Sequence, residues 1–318
     1  SDKPHWILPG PLGGHNWQAM SFDPELGLVF IPEQKSTTIY KMTEEWQQTG
    51  KIKYKAKSWN TGIEIAKYLD LALTTLDAPI GTGSLKAFNP ISGKTEWEVK
   101  YPQHWNGGTL STKSGITFQG NGMGFLNAFD SATGEILWSK DIQTSMIAPP
   151  ISYKIKNEQY IVILAGTGGG NNHGGDTLGF HTEHMASLKY GNEGRLLAFK
   201  INGKGILPRL DLVDRTIPEQ PKIISTEFEI SRGKELYGEY CAFCHGTAVR
   251  SGPALPDLRM MSNDSHELFN EIVYNGIYSE NGMTAFSDVI SKNDVNNIYH
   301  YIVNTAKSDR KTQQSIKP

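Results

Sequence analysis

The first two hundred positions hold only short apolar runs, each broken after a few residues by Gly, Pro, Asn or Asp, and this punctuation predicts strands and turns over 1–206. The pattern changes further along. From Ser231 the run RGKELYGEY predicts a capped helix, with Leu236 and Tyr240 spaced i, i+4 on one face. SHELFNEIVYNG and KNDVNNIYHYIVNTAK predict two more helices, so 227–318 reads as an all-α unit. Between the two units, 207–226 carries three prolines and little periodicity, and is expected to be an extended linker.

The β region repeats internally. Ala87-Phe88-Asn89-Pro90-Ile91-Ser92-Gly93-Lys94-Thr95-Glu96-Trp97 returns 41 residues later as Ala128-Phe129-Asp130-Ser131-Ala132-Thr133-Gly134-Glu135-Ile136-Leu137-Trp138. A period near 40 with strand–turn–strand content is the pattern of propeller blades, each a small sheet that cannot bury its faces alone. In both copies an Asx residue opens the turn and a Gly supplies positive φ, while the closing Trp can wedge between blades. Weaker echoes at Phe22–Val29 and Gly194–Lys200 bring the expectation to about four blade-sized units.

Composition narrows the possibilities. The chain has 318 residues, 38% of them hydrophobic and 20% charged, enough to build two cored domains. Its formal net charge of −2 argues against a nucleic-acid partner or an anionic membrane surface. The longest apolar runs, such as Ile161–Ala165, fall far below the roughly 18 residues that span a bilayer. The sequence opens on Ser1 with no charged segment followed by an apolar one, so any export signal is expected to have been removed or to lie upstream.

The two cysteines stand together in Cys241-Ala242-Phe243-Cys244-His245. A redox dithiol or half a zinc site would also use a CxxC, but zinc needs a second pair of ligands and no further cysteine exists. The following His makes the motif the attachment signature of haem c, with both thiols bonded to the porphyrin and His245 on the iron. A sixth ligand is sought among Met260, Met261, Met283, His266 and His300. Met283, in the Gly-led stretch Asn281-Gly282-Met283-Thr284-Ala285-Phe286, suits a loop that aims a thioether at iron, whereas Met260 and Met261 read as core filler.

On these features, residues 227–310 resemble a class I cytochrome c: a helix before CxxCH, a Pro-containing loop (Gly252–Leu258), a Met loop and a closing helix that packs on the first. The resemblance implies thioethers at Cys241 and Cys244, His245 and Met283 as the axial pair, and Pro253 or Pro256 buttressing the histidine. Met/His ligation raises the potential and suits electron acceptance.

The Ala-x-Asx-x-x-x-Gly-x-x-x-Trp repeat resembles the tryptophan-docking motif of the quinoprotein alcohol dehydrogenases, eight-bladed propellers around pyrroloquinoline quinone (PQQ). Pro9–Gln18, Trp105–Gly108, Gly115–Gly120, Ala148–Tyr153 and Gly194–Lys200 look like segments of that family in order. A propeller followed by a cytochrome c is the layout of the type II quinohaemoprotein alcohol dehydrogenases. The resemblance implies part of a larger propeller, about four blades of the ring, in the periplasm. It also implies alcohol oxidation at PQQ over Ca²⁺, with an Asp taking the hydroxyl proton and the haem passing electrons to an external acceptor.

Of the family's quinone contacts, Asn16 and Trp17 match by position, the alternative being a turn residue and a buried blade Trp. The catalytic Asp, the Ca²⁺ ligands and an adjacent-cysteine ring are expected on blades outside this chain. The alternative function is a non-enzymatic c-type electron carrier in which the β repeats form a docking scaffold. Two further signals carry less weight. The Gly-rich stretch 166–175 lacks a nucleotide-binding motif, and His173, Asp176, His181, Glu183 and His184 read as solvated surface rather than a metal site.

Overall fold

The computed structural model describes residues 3–10, 12–58, 60–64, 81–168, 185–252 and 255–316. Among the described residues, four sheets make up the β region. Strands β2 (Ser21–Asp23), β3 (Leu28–Lys35), β5 (Thr82–Asn89) and β6 (Lys94–Tyr101) form one antiparallel meander. Strands β7 (Asn106–Thr112), β8 (Ile116–Asn121), β9 (Phe125–Asp130) and β10 (Ile136–Asp141) form a second. β11 (Ile151–Ile155), β12 (Glu158–Ala165) and β13 (Arg195–Lys200) make a three-stranded third, and β1 (His5–Ile7) pairs with β4 (Thr38–Tyr40).

The two strong repeats occupy the same place in successive blades, the β5–β6 and β9–β10 hairpins. Their turns are built alike. Asn89 Oδ1 accepts from the amides of Ile91 and Ser92, and Asp130 Oδ1 from those of Ala132 and Thr133. The echo at Phe22–Val29 is the β2–β3 hairpin, so it belongs to the blade that already holds Ala87–Trp97 rather than to one of its own.

β3 alternates buried and half-buried positions along its length, as expected of a strand packed on one face. Its Phe30 joins Leu28, Leu85, Ala87, Tyr101 and Phe129 in a core shared by the first and second blades. Leu126, Ile142, Met146, Ile163 and Ala165 fill the next interface, between the second and third. Burying side chains such as Phe30 and Phe129 stabilises by about 1.5–3 kcal/mol each, and stacking is what makes that burial available to a single blade. A short helix, α1 (Glu44–Thr49), follows β4, and α2 (Ala186–Tyr190) precedes β13.

The first helix of this unit, α3 (Glu227–Tyr240), begins before the Ser231 that was expected to cap it. Thr226 is the N-cap, in a reciprocal capping box with Glu229, and Ser231 lies inside the helix. The closing helix, α6 (Lys292–Ile316), packs on α3. They approach so closely at Gly233 that a Cβ there would fall 1.9 Å from the Asn297 carbonyl oxygen. Between them, α5 (Asn263–Glu267) is followed by helical turns that widen into a π turn over Glu271–Asn275. Leu236, Tyr237, Phe269, Phe286, Ile298 and Ile302 form the heart of this domain's core.

The proline-rich tract has no regular structure, yet its second half is fastened to the helical unit. Ile217 is buried, its amide donating to Gln313 Oε1 at 2.9 Å, and Gln220 Nε2 donates to the Arg259 carbonyl at 3.1 Å. No helix among the described residues is long and apolar enough to cross a membrane.

Candidate functional site

The cysteine motif sits where α3 stops. Cys241 N donates to the Tyr237 carbonyl at 2.8 Å, and the chain then closes a tight turn, α4 (Ala242–His245). In that turn the amides of Cys244 and His245 both donate to the Cys241 carbonyl, at 3.1 and 2.9 Å. Cys241 is buried and Cys244 exposed. Burial, with the neighbouring Cys244 adding, pushes the Cys241 thiol up to about 12, and burial also raises Cys244.

His245 Nδ1 lies 3.0 Å from the Pro256 carbonyl oxygen. A carbonyl only accepts, so Nδ1 carries the proton and Nε2 keeps its lone pair, the tautomer a metal ligand needs. Burial lowers the pKa of His245, against a smaller upward pull from Pro256 and Asp257. Beneath it, the buried Tyr237 hydroxyl lies 2.9 Å from the His245 carbonyl and 2.7 Å from that of Gly246. Pro256 is thus the buttress, and Pro253 lies outside the described residues.

Met283 is half-buried against the core of this domain, in an irregular loop entered through Gly282 at φ +92°. Three of its rivals, all but Met260, have other contacts. His266 Nδ1 lies 3.1 Å from the Tyr299 hydroxyl, His300 lies beside Glu229, and Met261 packs on the core as expected. Two thiols, an Nε2 lone pair and a thioether in one domain are a donor set that fits haem c.

At the other candidate site, Trp17 is 57% exposed, so it is not a buried blade tryptophan. The Asn16 amide is engaged locally: Nδ2 donates to the Leu12 carbonyl at 3.0 Å, and Oδ1 accepts from the Trp17 amide at 2.9 Å. The Trp17 ring lies 6.0 Å from that of Trp105, which lies 5.7 Å from His104. His104 Nε2, Trp105 Nε1, Gln34 Oε1 and Ser36 Oγ are all buried without a hydrogen-bond partner among the described residues. Sequence reasoning did not single out His104, Gln34 or Ser36, whose burial depends on distant strands. Trp105 was visible only as part of a family segment. The unpartnered Trp105 indole N–H beside the exposed Trp17 ring fits a planar, anionic quinone. Residues 169–184, with the Gly-rich stretch beyond Gly168 and the His/Asp/Glu cluster, lie outside the described residues.

Comparison with known proteins identifies the family. The family described as "Glucose/ethanol/alcohol dehydrogenase, beta-propeller domain", a PQQ family, matches residues 1–161. The chain belongs to this family. The description "Cytochrome C oxidase, cbb3-type, subunit III" matches residues 228–302 of the same dehydrogenase-family chain, its c-type cytochrome part. Quinohemoprotein alcohol dehydrogenase ADH IIB of Pseudomonas putida is 34% identical across 99% of this chain and 44% of its own length. Lupanine 17-hydroxylase [cytochrome c] of a Pseudomonas species is also 34% identical, over 98% of this chain and 41% of its own length. Among solved structures, quinohemoprotein alcohol dehydrogenase ADHIIG of Pseudomonas putida HK5 superposes with a TM-score of 0.82 at 29% identity, over 98% of this chain and 44% of that one. The Comamonas testosteroni enzyme gives 0.73 at 28% identity, over 99% and 43%. The chain therefore spans less than half the length of these relatives, and its sheets are part of a larger propeller.

Proposed function

We propose that this chain carries the electron-accepting haem c and part of the quinone pocket of a PQQ-dependent alcohol dehydrogenase working in the periplasm. The observation that supports this most is the His245 Nδ1 contact with the Pro256 carbonyl, which leaves Nε2 free to ligate iron beside two thiols at thioether spacing. Bound PQQ would supply two-electron oxidation of an alcohol, and bound haem would supply one-electron transfer to an external acceptor. Cys241 and Cys244 would fix the porphyrin, Tyr237 holds the backbone of the turn that carries His245, and His245 with Met283 would hold the iron, a pairing that favours the reduced state. Asn16 and Trp17 border the quinone, with the Trp105 indole N–H and the His104 ring behind them. The Asp base and the Ca²⁺ ligands, where Ca²⁺ acts as Lewis acid, come from propeller blades outside these 318 residues, which are the partner this chain requires.

The test pairs two measurements. A haem-stained denaturing gel compares wild type with the Cys241→Ala/Cys244→Ala variant, and dye-linked alcohol oxidation is followed in the full-length protein with and without added PQQ and Ca²⁺. Stain on wild type alone, with turnover that requires PQQ, is the expected result. An unstained wild type removes the haem reading. A stained protein that oxidises no alcohol under any loading leaves the electron carrier instead.

A further inference from the structure

The β domain sends a strap, Lys55–Ser58, across to the helical unit. Asn60 staples it closed: Lys55 N donates to Asn60 Oδ1 at 2.8 Å, while Asn60 Nδ2 lies 2.9 Å from the Lys55 carbonyl and 2.8 Å from that of Ser58. At the tip Lys57 adopts φ +58°, a left-handed conformation that costs a side-chain-bearing residue energy and turns this lysine toward the helical unit.

The strap meets both segments assigned here to the haem. On one side, Lys55 Nζ and Ser58 Oγ reach Glu239 Oε1 at 2.7 and 3.2 Å, two residues before Cys241. On the other, Lys57 Nζ donates to the Ala285 carbonyl and to Asp288 Oδ1, each at 2.5 Å, and stands 5.6 Å from the centroid of the Phe286 ring. That loop begins at Met283. Its inner side is held by the Phe286 amide on the Val273 carbonyl at 3.0 Å and the Ser287 amide on that of Tyr274 at 3.2 Å. Its outer side is held by an ammonium that uses its donors on a carbonyl and a carboxylate while facing a ring.

We infer that Lys57 is a positioning residue, through which the propeller domain clamps the Met283 loop and keeps the thioether on the haem iron. The inference rests on the assignment of Met283 as axial ligand. As an exposed ion pair, the Lys57–Asp288 contact adds little to global stability. What it changes is the freedom of a loop whose sulfur competes with outside ligands for iron. A haem domain that loses the strap loses part of its Met ligation, and with it the raised potential.

The experiment uses the full-length, haem-loaded protein and titrates the ferric form with imidazole, which displaces a loosely held thioether. The deep-red absorption band that a Met ligand gives ferric haem is followed in parallel. Lys57→Ala is expected to bind imidazole about tenfold more tightly than wild type, the worth of the charge-assisted hydrogen bonds it gives to the loop, with a weakened band. Lys57→Arg keeps the charge and is expected to return the affinity most of the way. Met283→Ala calibrates the assignment by abolishing the band. A band that survives Met283→Ala sinks the ligand assignment itself. If Met283→Ala loses the band while Lys57→Ala matches wild type in both band and imidazole affinity, the ligand stands and the clamp is overturned.

Discussion

Trp97 of the first blade hangs its indole N–H on the Ser131 carbonyl of the second, at 3.0 Å, with its ring packed over Gly134. This one contact joins the two ends of the repeat. The Trp that closes one copy docks on the Asx turn of the next, so the spacing of the repeat is also the spacing of the blades. A Cβ at Gly134 would lie 2.7 Å from the Trp97 ring, at a backbone φ of +77°. Gly134→Ala is therefore expected to cost about 2 kcal/mol or more, and Trp97→Phe, which keeps most of the ring, about 1 kcal/mol. Urea unfolding followed by tryptophan fluorescence would measure both. In a Trp97→Ala background the cost of Gly134→Ala should shrink to its backbone part, and simple additivity of the two changes would refute the contact as described.

The proximal turn gives a second prediction. The buried Tyr237 hydroxyl is within reach of both the His245 and Gly246 carbonyls, and burial raises its pKa well above that of a free phenol, so it stays protonated as a donor. Tyr237→Phe removes that donor and leaves the carbonyls unpaired in a packed core. A loss of about 1–3 kcal/mol is expected, read as a lower thermal midpoint of the haem absorbance with covalent haem still attached. An unchanged midpoint would mean that water replaces the hydroxyl there.

How much of this was readable in advance follows the range of the interactions. The Asx turns and the CxxCH turn are local, and each sits on the residues expected of it. Assigning Phe22–Val29 to a blade was not possible locally, because the same turn chemistry closes the first hairpin of a blade and the last. The start of α3 was readable but misjudged: Thr226-x-x-Glu229 is a full capping box, whereas three residues after Ser231 stands Lys234. The strap on Glu239 and Asp288 joins residues some two hundred positions apart, and no pattern in the sequence announces it.

Acid sensitivity should arise in the helical unit at Asp309. Burial by itself would raise its carboxyl, but hydrogen bonds from Arg250 and Arg259 outweigh that and hold it below its ordinary 3.8. Arg250 reaches it through two nitrogens at 2.9 and 2.8 Å, and Arg259 through one at 2.8 Å. A carboxyl with a depressed folded-state pKa contributes stability above its unfolded value and loses it as pH falls through the folded one. Asp309→Asn is thus expected to be less stable than wild type by about 2 kcal/mol at neutral pH. The gap should close below roughly pH 3.8 in a series of denaturation curves. A gap that stayed constant with pH would assign the loss to packing.

His104 should govern a different window. It is 4% exposed, and burial holds its pKa down at about 4 from an ordinary 6.5. The aromatic Trp105 lies beside it, and no salt bridge reaches it among the described residues. Here the unfolded chain takes up the proton more readily than the folded one, so stability falls as pH drops from 6.5 toward 4, then levels once both states are protonated. The full linkage corresponds to a loss on the order of 3 kcal/mol across that interval. His104→Gln keeps a polar side chain of similar reach without the titration, and its stability should decline less steeply over the same range. Denaturant unfolding of both proteins at closely spaced pH values decides the matter. Curves that converge on acidification show that His104 is held neutral in the folded protein, and parallel curves would mean that the folded protein admits the imidazolium.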